Sequence, residues 1–545
     1  MAKRYRPVQR DQPFLLPPDM REWLPAGHPV WLVIAAVEDH LDTSAFHARR
    51  RTGGAGTAGY DPDMLVTLLI WAYAQGVTSS RRIEAACWTD VAFRVICAGD
   101  VPDHVTIARF RAGFGGAVED LFTGVLVLCA RLGMGQLGTI ALDGMKIAAN
   151  ASKAANRTEE TLRKLAAERA AAHAAADAAD DAAEAQRPGR VPPPGGPPRD
   201  ERIAAALAEI AAERQAAEAA RDAQAREYLA RQQAGMAGAP PLAAAVAAAQ
   251  ARLDRARADR AAQIAELERR AAGPAVPGRR RDRPAAGVED HCLARAARTA
   301  LARAEAKVAA AAQRKAAAGQ GPGPVRNITD ADSRLMPTRN GFIQGYNAQN
   351  VDSEDGLIIA TELTQDTTGM HWFEPMLRQA QDAAALITRH QPPPAGAAPG
   401  SPEDNGSQAR DGSGIGLMLA DAGYLPGDNL TTPGPGRLIA TGKHRDLERT
   451  ARHATASDQD QDQDPIAAMA ARLATPEGIA AYRQRSHIAE TPHGNIKHNK
   501  RFRQLTMRGL PKASAEWRFA ATVHNFFKAI STGHLTPDTL TALAS

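Results

Sequence analysis

Residues 138–144 read Gly138-Thr-Ile-Ala-Leu-Asp143-Gly144, a short apolar run closed by a carboxylate. The pattern returns at Ile415-Gly-Leu-Met-Leu-Ala-Asp421-Ala-Gly-Tyr424. Runs of this length and composition, bounded by turn residues, predict two strands, each ending in an acid. One Asp before Gly is ordinary turn chemistry. Two on neighbouring strands are different: in helix-covered sheets, ligands gather at the carboxyl ends of strands, and facing carboxylates suit a hard divalent cation.

Working outward, Asn340-Gly-Phe-Ile-Gln-Gly-Tyr-Asn-Ala-Gln-Asn-Val351 predicts a strand, Ser353-Glu-Asp-Gly356 a hairpin turn and Leu357-Ile-Ile-Ala-Thr-Glu-Leu363 the returning strand. A crossover helix is expected over His371 to Thr388, a loop over 391–414 and one more strand over Arg437 to Thr441. Before the first acid, six segments carry apolar residues at helical spacing: Pro29–Leu41, Pro62–Tyr73, Ser80–Cys87, Asp90–Ala98, His104–Ala112 and Val118–Leu132. The fifth begins with a cap, Asp103 or Thr106, and places Arg109 and Arg111 one turn on, as a DNA-reading helix would.

From Ala154 to Gly319 the composition turns to Ala, Arg and Glu, broken by Arg187–Pro198 and Gly273–Gly278, both rich in Pro and Gly. Long helices forming a shallow, Ala-lined coiled-coil hairpin are expected, as a protomer-holding element, a DNA clamp or a spacer. The run Asp458-Gln-Asp-Gln-Asp-Gln-Asp464 reads as a solvated acidic loop. The expected division is therefore 1–135 helical, 136–153 first core strand, 154–325 helical insertion, 326–530 remainder of the core and 531–545 tail. The fold class is α/β, with a mixed sheet.

The 47-residue block Tyr482 to Lys528 holds ten basic residues and two acids, Glu490 and Glu516, a local formal charge of +8 in a chain of net +5. Such a field is built to meet a polyanion. A carboxylate kept inside it, Glu490, fits a third metal ligand beside a phosphate. Pro492 and Gly494 are poor in a helix interior, so the helix either starts near Glu490 or is distorted there.

On these residues the chain resembles bacterial insertion-sequence transposases of the DDE type. The runs that carry the likeness are ALDGMKIAANAS (141–152), NITDADSRLMPTRNGFIQGYNAQNVDSEDGLIIATELTQD (327–366), LADAGY (419–424) and the C-terminal block. The subgroup numbered eleven-eighty-two is the nearest likeness. The resemblance implies an RNase H-like core using two magnesium ions, with manganese able to substitute, to cut element ends and transfer strands into target DNA. It also implies catalytic and metal-binding roles for Asp143, Asp421 and Glu490, recognition of terminal inverted repeats by the N-terminal helices, and assembly as a dimer or higher on paired ends. Helix–helix packing between protomers is the other use open to those N-terminal helices.

Tyr482, Arg485, Glu490 and Lys497 resemble the Tyr-Arg-Glu-Lys signature of related transposases. Here four residues, Ser486 to Ala489, separate Arg from Glu where the signature has three, so Arg485 and Arg483 both remain open for that role. Lys500, Arg501, Arg503 and Arg508 extend the expected DNA contact. In-line displacement at phosphorus needs no protein nucleophile, only positioning and charge neutralisation, which carboxylate-held metals and guanidinium or ammonium groups supply. Asp330, Asp332 and Asp366 stand in reserve as ligands. His487, His493, His498 and His524 read as structural or surface histidines.

Four cysteines without a CxxC pair support neither a zinc knuckle nor a disulfide framework. No GxxxxGK[ST] loop is present, which argues against an ATP-driven motor. No apolar run reaches the roughly 20 residues of a membrane span, and the sequence pI near 9.1 suits a nucleic-acid partner, so a cytoplasmic location is expected. Two other functions use the same features: a decayed element that binds DNA without cutting it, and a plain RNase H-like nuclease.

Overall fold

A computed structural model describes residues 19–48, 59–168, 171, 201, 203–216, 219, 242–271, 287–320, 325–393, 414–425, 427–442 and 465–544. The two Pro/Gly breaks of the insertion, most of the 391–414 loop and the acidic run 458–464 lie outside the described residues. The chain divides into two compact units, Met1–Arg157 with Arg326–Ser545, and Thr158–Val325.

Among the described residues of the first unit, seven α-helices precede the first strand: α1 (Pro29–Asp39), α2 (Ser44–His47), α3 (Pro62–Ala74), α4 (Ser80–Thr89), α5 (Val91–Ile96), α6 (His104–Ala112) and α7 (Ala117–Arg131). Their starts follow local chemistry. Asp61 caps α3 ahead of Pro62 at its first position, and Asp103 Oδ1 accepts from Val105 N and Thr106 N to cap α6.

The strands are β1 (Thr139–Ala148), β2 (Asn156–Thr158), β3 (Val325–Asn327), β4 (Arg334–Thr338), β5 (Gly341–Ser353), β6 (Ile358–Thr364), β7 (Leu417–Ala420) and β8 (Gly436–Ile439). β2 and β3 pair separately; the other six form one mixed sheet. β1 is central, antiparallel to β5 and parallel to β7, and β7 is parallel to β8. β5 carries β4 and then β6 on its far edge. The predicted hairpin is present: Gly356, at φ +81°, donates to Ser353 O at 2.9 Å, a conformation glycine adopts at no steric cost. Gly345 is needed where β5 meets β1, because a Cβ there would lie 2.0 Å from Ile147 O.

Between β6 and β7 lies the crossover helix, Phe373–His390; a short helix, Gly427–Thr431, precedes β8. C-terminal to the sheet are Pro465–Ala474, Pro476–Gly494, Leu510–Ser531 and Pro537–Ala544. The N-terminal helices share one core with a sheet face and Leu510–Ser531. Phe519 of that helix stacks on Phe114 at 5.0 Å and meets Tyr73 edge-on at 5.0 Å. Trp517, Phe519 and Phe526 are fully buried, each contributing roughly 1.5–3 kcal/mol. A second, smaller core forms where Ile488 and Ala489 of Pro476–Gly494 pack on Ala141, Leu419 and Leu438.

The second unit contains the long helices Leu242–Ala271 and Cys292–Gln320, which pack on each other. Its buried residues mix alanines, Ala206, Ala249 and Ala294, with larger Leu162, Ile203, Ile210 and Leu253. Glu289 pairs with Arg257 at 2.8 Å and also with Arg298.

Among the described residues no single helix is long and apolar enough to cross a membrane. Cys87, Cys97 and Cys129 are buried thiols and Cys292 is exposed.

Candidate active site

Parallel pairing of β1 with β7 ends at Leu142 and Ala420, so the next residues on each strand, Asp143 and Asp421, stand side by side. Asp421 lies at a strand end as expected. Asp143 does not: β1 continues to Ala148, because Met145 and Ile147 keep alternating into the core after the acid. The point where β7 stops opens space above the middle of β1.

The helix Pro476–Gly494 crosses this opening. Its residues 482, 485, 489 and 493 share one face at helical spacing. Tyr482 donates its hydroxyl to Ala420 O at 3.3 Å, Ala489 packs on the sheet, and Arg485 and His493 reach the acids. Arg485 Nη2 lies 3.1 Å from Asp143 Oδ1 and 3.9 Å from Asp421 Oδ2. Of the two arginines, Arg485 is the one beside the acids, and Arg483 is exposed. His493 Nδ1 stands 3.7 Å from Asp143 Oδ2. The helix does not start at Glu490. It runs through Pro492 and passes into a π-helical turn, Asn495–Asn499, the distorted alternative.

The two acids are electrostatically unequal. Burial works to raise the Asp143 carboxyl, but His493, Arg485 and the Gly144 N–H outweigh it and hold the group below its ordinary range. Asp421 is pushed up by burial, which Arg485 opposes and the charge of Asp143 reinforces. Asp143 Oδ2 lies 3.7 Å from His493 Nδ1 and Asp421 Oδ2 lies 3.9 Å from Arg485 Nη2, both beyond hydrogen-bond length. Each acid thus keeps an oxygen open to a ligand.

Glu490 is exposed on the same helix, one residue past buried Ala489, and its charge is felt by Arg485. Among the described residues, the acidic and histidine side chains whose ligand atoms lie within 4.8 Å of one another are His47, Asp61 and Asp63. That group is structural: Asp61 caps α3, and Asp63 holds Thr43 Oγ1 at 2.5 Å and His47 Nε2 at 2.8 Å. The reserve acids have structural partners too. Asp330 accepts from Tyr346 and Gly509, Asp332 from Leu510 N, and Asp366 from Trp372.

The basic residues separate into two sets. Lys497, Arg501, Arg503 and Arg508 lie at or near the surface; Lys497 is lowered by burial and by Arg503, with Asp143 pulling the other way. Arg109 is exposed on α6. Arg111 and Lys500, expected at DNA, are instead turned inward. Arg111 is 4% exposed and bound to Glu516, and Lys500 Nζ sits 4.7 Å over the Phe527 ring, its pKa lowered to about 8 by burial. Both serve the interior because aromatic and carboxylate partners there offset their desolvation.

Three residues near the acids were not singled out as functional in the sequence. His493 shares the helical face of Arg485, a spacing hidden by Pro492 and Gly494. Lys146 of β1 donates to Thr367 O at 2.7 Å and is lowered to about 8 by burial, with Asp366 and Asp421 opposing. Asp352, opposite Ala141 on the Asp143 face of the sheet, is fully buried with neither carboxylate oxygen hydrogen-bonded; burial and the charge of Asp143 raise it well above the usual range. Its signal was the polar run Asn347–Ser353 inside a strand.

Adjacent carboxylates on a central parallel strand pair, beneath an arginine-bearing helix in a basic field, are an arrangement that phosphoryl-transfer chemistry can use. Residues 18–113 match a family model described as a transposase domain (DUF772), and residues 444–530 match one described as a transposase DDE domain. The matches take in the N-terminal helices and the helix carrying Tyr482, Arg485 and Glu490, and together they support a bacterial insertion-sequence transposase. No curated protein and no solved structure matches the chain.

Proposed function

We propose that this protein is a DNA transposase that cuts at the ends of its element and transfers the freed strand into target DNA, with Asp143, Asp421 and Glu490 as the catalytic acids. The observation that carries the reading is the juxtaposition of Asp143 and Asp421 at the β1–β7 step, under the helix that lies in the DDE-matching segment. The sheet order, with β6, β5, β1, β7 and β8 in sequence across it, supports an RNase H-like core.

The donor set fits a hard divalent cation. Two carboxylates converge on one positive charge, Arg485, and each has an oxygen left over. Asp143 and Asp421 would hold the ions, magnesium or manganese, with Glu490 joining from the helix. When bound, such ions neutralise phosphate charge and activate the attacking oxygen. The chain's own groups do the rest. His493 and Arg485 keep Asp143 ionised and oriented. Tyr482 pins the backbone just before Asp421. Lys497 and the exposed arginines beyond it offer positive charge to the DNA backbone.

Incubating the protein with magnesium and DNA carrying the element's ends tests this. Wild type should nick and join, while Glu490→Gln binds the same DNA and leaves it intact. Equal cleavage by that variant removes Glu490 from the site.

A further inference from the structure

A second feature lies apart from the acids, inside the first unit: a cleft of about 810 Å³ between α4, α6 and the segment around Thr506–Lys512. Its lining includes Arg81, Arg109, Arg111, Arg508 and Lys512, and no carboxylate. Arg81, Arg109 and Lys512 are exposed and form no ion pair among the described residues. Isolated cations of this kind repel one another unless an anion joins them.

Two further observations point to an anionic occupant. Ser79 makes no side-chain cap for the ten-residue α4, so the positive end of that helix opens into the cleft beside Arg81. Arg111, 4% exposed, forms part of the wall, and its Nε is buried without a hydrogen-bond partner. Hydrogen bonds tie the walls together: Asn150 Nδ2 donates to Thr506 O at 2.6 Å, and Arg508 Nε donates to Asn150 O at 3.0 Å.

Asn150 also limits how far the cleft stands from the acids. It lies seven residues beyond Asp143 on β1 and its continuation. At about 3.3 Å per extended residue, that separation is at most roughly 23 Å. Successive phosphates of one DNA strand advance about 3.4 Å along the axis, so the span corresponds to no more than roughly seven nucleotides.

We propose that this cleft grips the phosphate backbone of duplex DNA within about seven nucleotides of the phosphate held at Asp143 and Asp421, with Arg81, Arg109 and Lys512 as the contacting residues. The inference rests on the transposase reading. It adds a binding site that joins α4 and α6, in the first matched segment, to residues of the second.

The test is fluorescence anisotropy of a mixed-sequence duplex of about 30 base pairs, in EDTA so that no cutting occurs, across a salt series. Three phosphate contacts should contribute roughly 2–3 to the slope of log affinity against log salt. The triple variant Arg81→Ala/Arg109→Ala/Lys512→Ala should lose that much slope and bind roughly 100-fold more weakly at 0.1 M salt. Arg82→Ala, exposed on α4 outside the cleft, should lose far less. Lys512→Glu alone, also exposed, gives the same direction of change should the triple variant fold poorly.

Wild-type binding with an unchanged slope in the triple variant overturns the cleft proposal and leaves the transposase reading standing. No DNA binding by wild type overturns both. The spacing has its own check in magnesium: DNA extending about seven nucleotides from the cut should keep wild-type affinity, DNA ending at the cut should fall to the affinity of the triple variant, and undiminished affinity of the latter contradicts the proposal.

Discussion

Two arginine–carboxylate clusters in the same compact unit put like side chains to opposite uses. Around Glu516, both oxygens are filled: Oε1 accepts from Arg111 Nη2 at 2.7 Å, Tyr73 OH at 2.9 Å and Thr506 Oγ1 at 2.6 Å, and Oε2 accepts from Thr506 N at 2.8 Å and Met507 N at 2.9 Å. Glu516 is 0% exposed. Around Asp143 and Asp421, one arginine is shared between two acids, at 3.1 and 3.9 Å, and one oxygen on each acid lacks a close donor. A saturated cluster ties elements together. An unsaturated one stores like charge that a cation would relieve, which is what separates a binding site from a structural knot.

The largest effect should come from breaking the closed cluster. Glu516→Ala leaves Arg111 buried and unpaired, and should cost about 3–5 kcal/mol in chemical denaturation. A loss below about 1 kcal/mol would mean that Arg111 and Glu516 are no more committed than the open pair.

The dry interior around the closed cluster also sets a pH dependence. His524, on the same helix as Glu516, donates from Nε2 to Gly356 O at 3.0 Å, and burial lowers its pKa to about 3. Because the unfolded state then binds more protons between about pH 3 and pH 6.5, stability is full above pH 6.5 and falls as pH drops through that window. The loss should be about 2 kcal/mol at pH 5 relative to pH 8, and His524→Gln should flatten it. A flat profile in wild type would show that His524 is accessible to protons.

On the open side, Asp352 gives a smaller effect of opposite sign. Its folded pKa is raised, so its carboxyl favours the folded state only at low pH and loses that contribution as pH rises above the ordinary carboxylate range. Asp352→Asn should therefore stabilise the protein by on the order of 1 kcal/mol at pH 8, and by less at pH 5. Destabilisation at pH 8 would indicate that the carboxylate has a partner essential to the fold.

Much of the fold was legible because its elements are short and locally coded. The hairpin at Ser353–Gly356, the capped α6 and the strand before Asp421 all follow turn and capping chemistry acting within a few residues. The proximity of Asp143 and Asp421 was inferred from paired patterns, while β1 itself ran past the acid, since alternation through Met145 and Ile147 outweighs the Asp-Gly turn signal. Arg111 and Lys500 read as surface bases, yet their partners, Glu516 and Phe527, come from helix packing that no local pattern encodes. His493 was obscured by Pro492, whose cost the helix absorbs by passing into a π-helical turn.

The central claim is that the open acids perform chemistry while the closed ones hold the fold. Magnesium-dependent cleavage of end-bearing DNA, measured with thermal unfolding on Asp143→Asn and Asp421→Asn, addresses it most directly. Each variant should melt close to wild type and cut at least about 100-fold more slowly. Wild-type cleavage in either variant, or a collapse in stability like that expected of Glu516→Ala, would contradict the account.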